Sequence, residues 1–169
     1  MVDASVAIKW FVDESDSTKA AELLRYPLSA PDLLAPECAN ILWKKVARAE
    51  LTLDEAEVIA LALQSAAITL HPTRGLLAAA MKMACELGCA AYDCFYLALA
   101  QELEQPLVTA DLRLVSRARA DGAARFAALL VPLSEFDAQW ATHDRNLPGA
   151  CRAPSTYPVR PSETPATAL

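Results

Sequence analysis

The chain has 169 residues, 54% of them hydrophobic, with a formal net charge of −6. That length suits one domain with a proper core, and no apolar run approaches the ~20 residues needed to span a bilayer. The acidity argues against non-specific DNA coating, which relies on Lys and Arg neutralising phosphates. It suits a basic protein partner, and it leaves open a nucleic-acid enzyme that gathers its acids at one site.

The first residues carry no basic stretch ahead of an apolar one, so no signal peptide is expected and the protein reads as soluble and cytoplasmic. Five Cys fit that compartment: Cys38, Cys85, Cys89, Cys94 and Cys151, an odd number without a disulfide-like framework. Cys85 and Cys89, four apart, could form half of a metal site, but no second Cys or His pair completes it. The simpler reading is small buried helix residues.

In chain order, Met1-Val2 is a very short apolar start that ends at Asp3. Helices are predicted over Ala4 to Val12 and Ser17 to Tyr26, the second with Ala20, Leu23 and Leu24 on one face. Ser29 to Leu34 reads as a short extended piece. Pro36 then opens a helix to about Ala49, at a position where a missing N–H costs little. Thr52 with Glu55 three residues later is a capping-box pattern for a helix to about Ala66. Ile68 to Leu70 is a short strand. Thr73 is predicted to cap the next helix, which ends at Gly88. A helix over Tyr92 to Leu103, a strand over Pro106 to Thr109, a helix from Asp111 to Ala120 and a strand over Leu129 to Val131 complete the ordered part. From Asn146 onward Pro recurs among Ser and Thr without periodicity, which predicts an irregular tail.

Short apolar strands alternating with helices predict an α/β fold with a parallel, helix-covered sheet, whose ligand edge lies beyond the carboxyl ends of the strands. Four acids fall at the ends of apolar segments: Asp3, Glu37, Asp93 and Asp111. Asp3 and Asp111 follow strand segments. Glu37 and Asp93 sit in first turns of helices, where negative charge is favoured. Asp93 heads a face that continues as Leu97 and Ala100. Capping is the plainer alternative for Asp93 and Asp111, as is a first-turn acid for Glu37. Asp3 is harder to explain that way, with no nearby cation in the sequence except Lys9.

If the four converge, like charges about 4 Å apart repel by about 1 kcal/mol in water and about 4 kcal/mol at an effective dielectric of ~20. At least one pKa must then rise unless a cation enters. All-oxygen ligands select Mg²⁺ or Mn²⁺, and phosphodiester hydrolysis uses such ions. Ser5 and Thr109 place hydroxyls beside Asp3 and Asp111, where each could orient a carboxylate or make an ordinary turn bond. Asn40 lies one helical turn beyond Glu37, either reaching the site or exposed. With only two His and four Gly, a Ser/His/Asp triad, a zinc site, a dinucleotide site and a P-loop all lack material.

The ordered set Val-Asp-Ala-Ser from Val2, Pro-Glu-Cys-Ala-Asn from Pro36, Tyr-Asp-Cys-Phe-Tyr from Tyr92 and Val-Thr-Ala-Asp from Val108 resembles the PIN-domain nucleases. Among them it is most similar to the VapC-type toxins of bacterial toxin–antitoxin pairs. The resemblance covers about residues 1 to 137. It implies a three-layer fold with a short central parallel sheet and a PIN-like domain over 1–140; the Pro-rich tail over 141–169 lies outside the usual family length. It further implies a catalytic and metal-binding set of Asp3, Glu37, Asp93 and Asp111 holding Mg²⁺ or Mn²⁺, with Thr109 as the family's supporting hydroxyl; Ser5 and Asn40 are supporting candidates from their positions alone. The implied activity is endoribonuclease cleavage leaving a 5′-phosphate, with RNA as substrate, a cognate antitoxin as inhibitor and a homodimer as the assembly.

Two other classes are open to test. One is a PIN-fold interaction module without meaningful catalysis. The other is a phosphoacceptor receiver domain, which would want a Lys near the end of the last strand. No Lys occurs after Lys82.

Overall fold

The computed structural model describes residues 1–120 and 123–137. The expected Pro-rich tail over 141–169 and the end of the expected 1–140 domain lie outside the described residues. The chain is α/β. Helix α1 (Ala4–Ala7) leads into a 3-10 turn, Ile8–Trp10. Then follow α2 (Ser17–Leu23), β1 (Leu28–Pro31), α3 (Leu34–Ala47), α4 (Leu53–Gln64), β2 (Ile68–His71), a 3-10 turn at Thr73–Leu76, α5 (Leu77–Leu87) and α6 (Ala91–Leu103). The last elements are β3 (Leu107–Thr109), α7 (Leu112–Ala118), α8 (Ala124–Ala127), β4 (Leu130–Pro132) and a final 3-10 turn at Leu133–Glu135.

The strands form two parallel ladders rather than one continuous sheet. β1 pairs with β2, Leu28 opposite Ile68, and β3 pairs with β4, Leu107 opposite Leu130. Met1 and Val2 stitch the ladders together. The Val2 N–H donates to the Ser29 carbonyl at 3.1 Å, and the Val108 N–H donates to the Met1 carbonyl at 2.9 Å. Val2 also forms an isolated parallel bridge with Val108. Two residues therefore do the work of a central strand and deliver Asp3 directly to its carboxyl end.

Side chains alternate across the pleat. Met1, Leu107 and Leu130 enter a large apolar cluster with Leu97 and Leu99 of α6 and Ala80 of α5. Val2, Val108 and Val131 enter a second cluster with Ala20 and Leu23 of α2 and Phe136. Apolar material thus covers the strands on both faces.

Several boundaries differ from expectation. The first helix stops at Ala7 rather than Val12. Its continuation tightens to 3-10 geometry because Trp10 Nε1 donates to the Ala20 carbonyl at 2.8 Å and turns the chain toward α2. α2 ends at Leu23, and β1 runs Leu28–Pro31 rather than Ser29 to Leu34. α3 opens at Leu34, two residues before Pro36, which still sits in the first turn where its missing N–H has no intrahelical partner to lose.

Thr52 caps α4 with the full capping box, as its spacing predicts. Thr73 does not cap α5; it begins a 3-10 turn, and its N–H donates to Asp32 Oδ1 at 3.1 Å instead. Gly88 ends α5 with φ 61°, the left-handed conformation that favours glycine. α6 begins at Ala91, one residue before Tyr92, α7 ends at Ala118 rather than Ala120, and α8 has no counterpart in the sequence reading. Cys85 and Cys89 are not the buried helix pair expected: Cys85 is exposed and Cys89 is half-buried in the turn after α5, whereas Cys38 and Cys94 are buried.

Candidate metal centre

Asp3 is held first. Its backbone is extended while Oδ1 caps α1 by accepting from the Val6 N–H at 3.0 Å. Ser5 Oγ donates to the same oxygen at 2.6 Å, and Thr109 Oγ1 donates to Oδ2 at 2.5 Å. Both hydroxyls also reach the chain after β3: the Ala110 N–H donates to Ser5 Oγ at 2.9 Å, and the Asp111 N–H to Thr109 Oγ1 at 3.0 Å. Ser5 and Thr109 are therefore relays that lock Asp3 to the segment carrying Asp111. Asp3 as a residue is only 8% exposed. Burial pushes its carboxyl pKa up, against the Ser5, Thr109 and Val6 hydrogen bonds, and the Asp111 charge adds to the rise.

Lys9 does not neutralise Asp3, although it is the nearest cation in the sequence. Its ammonium donates to Glu14 Oε2 and to the Ser15 carbonyl, both at 2.9 Å. Glu14 also bridges to Lys45 of α3. Burial works to raise the Glu14 pKa, but the hydrogen bonds from Lys45 and Lys9 hold it below the usual range. The ion cluster ties the α1–α2 connection to α3 and leaves Asp3 without a side-chain cation paired to it among the described residues.

Glu37, in the first turn of α3, accepts from the Tyr96 hydroxyl at 2.6 Å. Its pKa is raised by burial and by the charges of Asp3 and Asp93. Asp111 caps α7, its Oδ1 accepting from Arg113 and Leu114 N–H groups at 2.8 and 3.2 Å. The capping reading thus holds for Asp111, and for Asp3 too.

It fails for Asp93. The N-cap of α6 is Ala90, with no side-chain cap. The half-buried Asp93 carboxylate receives no hydrogen bond among the described residues. Burial raises its pKa, the Asp111 and Asp3 charges raise it further, and only Arg117 works the other way.

The four acids therefore feel one another: Asp3 with Asp111, Glu37 with Asp3 and Asp93, Asp93 with Asp111 and Asp3. They are neighbours, not a closed cage. Among the described residues no group of three His, Cys, Asp or Glu has the spacing of a metal site. Their chemistry nonetheless fits a hard divalent cation, with oxygen donors throughout and excess negative charge. Asn40 is exposed on α3, with no hydrogen bond to the acids among the described residues.

Two contributors escaped the sequence reading. Arg117 on α7 faces Asp93 and donates to the Gly88 carbonyl. Tyr96 lies three residues beyond Asp93, a spacing that puts both on one side of α6; the sequence reading followed only the i+4 and i+7 positions. Tyr96 is a positioning residue for Glu37. Tyr96→Phe is expected to weaken divalent-ion affinity about tenfold, in the range for partners of ligating carboxylates, with little change in Tm. Unchanged Mn²⁺ affinity in the variant would remove Tyr96 from the site.

The PIN-domain family model matches residues 1–120. The chain belongs to the PIN-domain family. Consistent with a PIN domain, it is similar to Ribonuclease VapC3 from Pyrobaculum aerophilum, at 33% identity over 136 residues, covering 78% of this chain and 98% of the relative. PIN nucleases generally use divalent metals.

Proposed function

We propose that this PIN domain is a metal-dependent endoribonuclease acting as the toxin of a toxin–antitoxin pair. The observation that carries the reading is Asp93: a half-buried carboxylate without a hydrogen-bond donor among the described residues, beside two further acids, in a chain similar to a VapC ribonuclease. Asp3, Glu37, Asp93 and Asp111 would hold Mg²⁺ or Mn²⁺. When bound, such an ion polarises a phosphate oxygen and makes a water nucleophilic near neutral pH. Ser5 and Thr109 fix the Asp3 carboxylate, and Tyr96 fixes Glu37. Arg113 and Arg117, one turn apart on exposed positions of α7, supply positive charge for the RNA backbone.

The relative is a VapC ribonuclease, which supports an antitoxin as partner. So do the exposed apolar side chains Trp43 on α3 and Val58 and Leu61 on α4. Leu77 and Met81, one turn apart and exposed on α5, suit a homodimer contact. The cytoplasm is the compartment that such a role requires.

The rival reading, a PIN-fold binding module, draws on one observation: no group of three donors among the described residues is already spaced for a metal. Cleavage of RNA by the purified protein separates the two. The nuclease reading predicts cuts leaving 5′-phosphates, lost with EDTA and restored by excess Mn²⁺. Cleavage indifferent to EDTA contradicts a metal-dependent nuclease, and no cleavage of any RNA tried supports the rival.

A further inference from the structure

Two thiols outside the acid cluster meet at the corner between α5 and α6. Only Gly88, Cys89 and Ala90 separate the two helices. Cys89 follows the left-handed Gly88 and is half-buried. Cys94 lies in the first turn of α6 with its side chain fully buried. Their sulfurs are 3.4 Å apart. A disulfide bond needs about 2.0 Å, so the gap to close is roughly 1.4 Å. Cys94 is anchored by core packing, whereas Cys89 sits in a three-residue turn that can supply the movement.

We propose that Cys89 and Cys94 are an oxidation site, at which a peroxide converts the two thiols into an intramolecular disulfide across the α5–α6 turn. The exposures fix the order of events. Cys89 is the sulfur that solvent reaches, whereas the fully buried Cys94 sulfur is shielded from the peroxide. The Cys89 sulfur attacks one peroxide oxygen and the O–O bond breaks. Cys89 becomes a sulfenic acid, and its proton leaves in a water. The Cys94 sulfur then attacks the Cys89 sulfur. The S–S bond forms, the S–O bond breaks, and a second water carries away the Cys94 proton. The two thiols lose two electrons and the peroxide gains them.

The bond would pin the turn that precedes Asp93. That turn is already tethered by Arg117, which donates to the Gly88 carbonyl and faces Asp93. The proposal stands on the two sulfurs and does not depend on the nuclease reading.

The test uses the full chain, reduced, treated with hydrogen peroxide, denatured, alkylated and cut with trypsin. Cleavage after Lys82 and Arg113 releases one peptide holding Cys85, Cys89 and Cys94. The expected product is that peptide lighter by two hydrogen atoms, alkylated at Cys85 only. Cys85→Ser is expected to keep the bond, and Cys89→Ser, at a half-buried turn position, to abolish it. Full alkylation of both Cys89 and Cys94 after treatment overturns the proposal. So does pairing of either with Cys38, Cys85 or Cys151.

Discussion

Asp93→Asn is expected to cut RNA cleavage by about 10²–10³-fold, the scale of losing several kcal/mol of metal-assisted stabilisation, while the metal-free protein becomes more stable at neutral pH. The two effects share one cause. Burial, then the Asp111 and Asp3 charges, hold the Asp93 carboxyl above its ordinary range. A carboxyl with a raised folded-state pKa binds more protons folded than unfolded, so its contribution to stability falls as pH rises through the unfolded and then the folded value. Asn carries no charge to repel and gives up no cap or hydrogen bond among the described residues. The variant should therefore melt above wild type at pH 7 and converge with it in acid, below the unfolded carboxyl value. Thermal denaturation across pH, without metal, reads this out. A variant that melts lower at pH 7, or one that cleaves RNA at the wild-type rate, contradicts the placement of Asp93.

Thr109→Val should be the most damaging small change. Thr109 is fully buried. Its hydroxyl donates to Asp3 and accepts from the Asp111 N–H. Val keeps the shape and removes both bonds, leaving a buried carboxylate oxygen and a backbone donor unpaired. Hydrogen bonds to charged groups contribute about 1.5–3 kcal/mol, so a total cost of about 2–4 kcal/mol is expected. That corresponds to a Tm fall of about 4–15 °C for a chain of this size. Losing the Thr109 bond also raises the Asp3 pKa further, so any remaining cleavage should need higher pH than wild type. Thr109→Ser keeps the hydroxyl and loses a methyl, costing nearer ~1 kcal/mol, and should retain the wild-type pH profile. If Val and Ser variants behave alike, the hydroxyl has no role.

What the sequence disclosed was mainly local. The Thr52 capping box and the Gly88 stop depend on residues within a turn of each other, and both stand as their spacing predicts. The four acids were visible because each stands at the end of an apolar segment, a placement that one stretch of chain displays by itself. Contacts across the chain were not visible. Met1 and Val2 hold two ladders together only through backbone bonds to Ser29 and Val108. Lys9 is diverted from Asp3 by Glu14, and Glu14 is fixed by Lys45 of another helix. The Glu37–Tyr96 bond joins residues 59 positions apart. Capping and site membership also proved compatible: Asp3 and Asp111 each cap a helix with Oδ1, so a cap on a carboxylate does not argue against a second role.

Calorimetric titration of Mn²⁺ into the metal-free protein tests the central claim most directly. The account predicts saturable binding that strengthens with rising pH, as protons leave Asp3, Glu37 and Asp93, and at least tenfold weaker binding by Asp93→Asn. Absence of binding by the wild type, or equal affinity in wild type and Asp93→Asn, would contradict a metal centre built from these four acids.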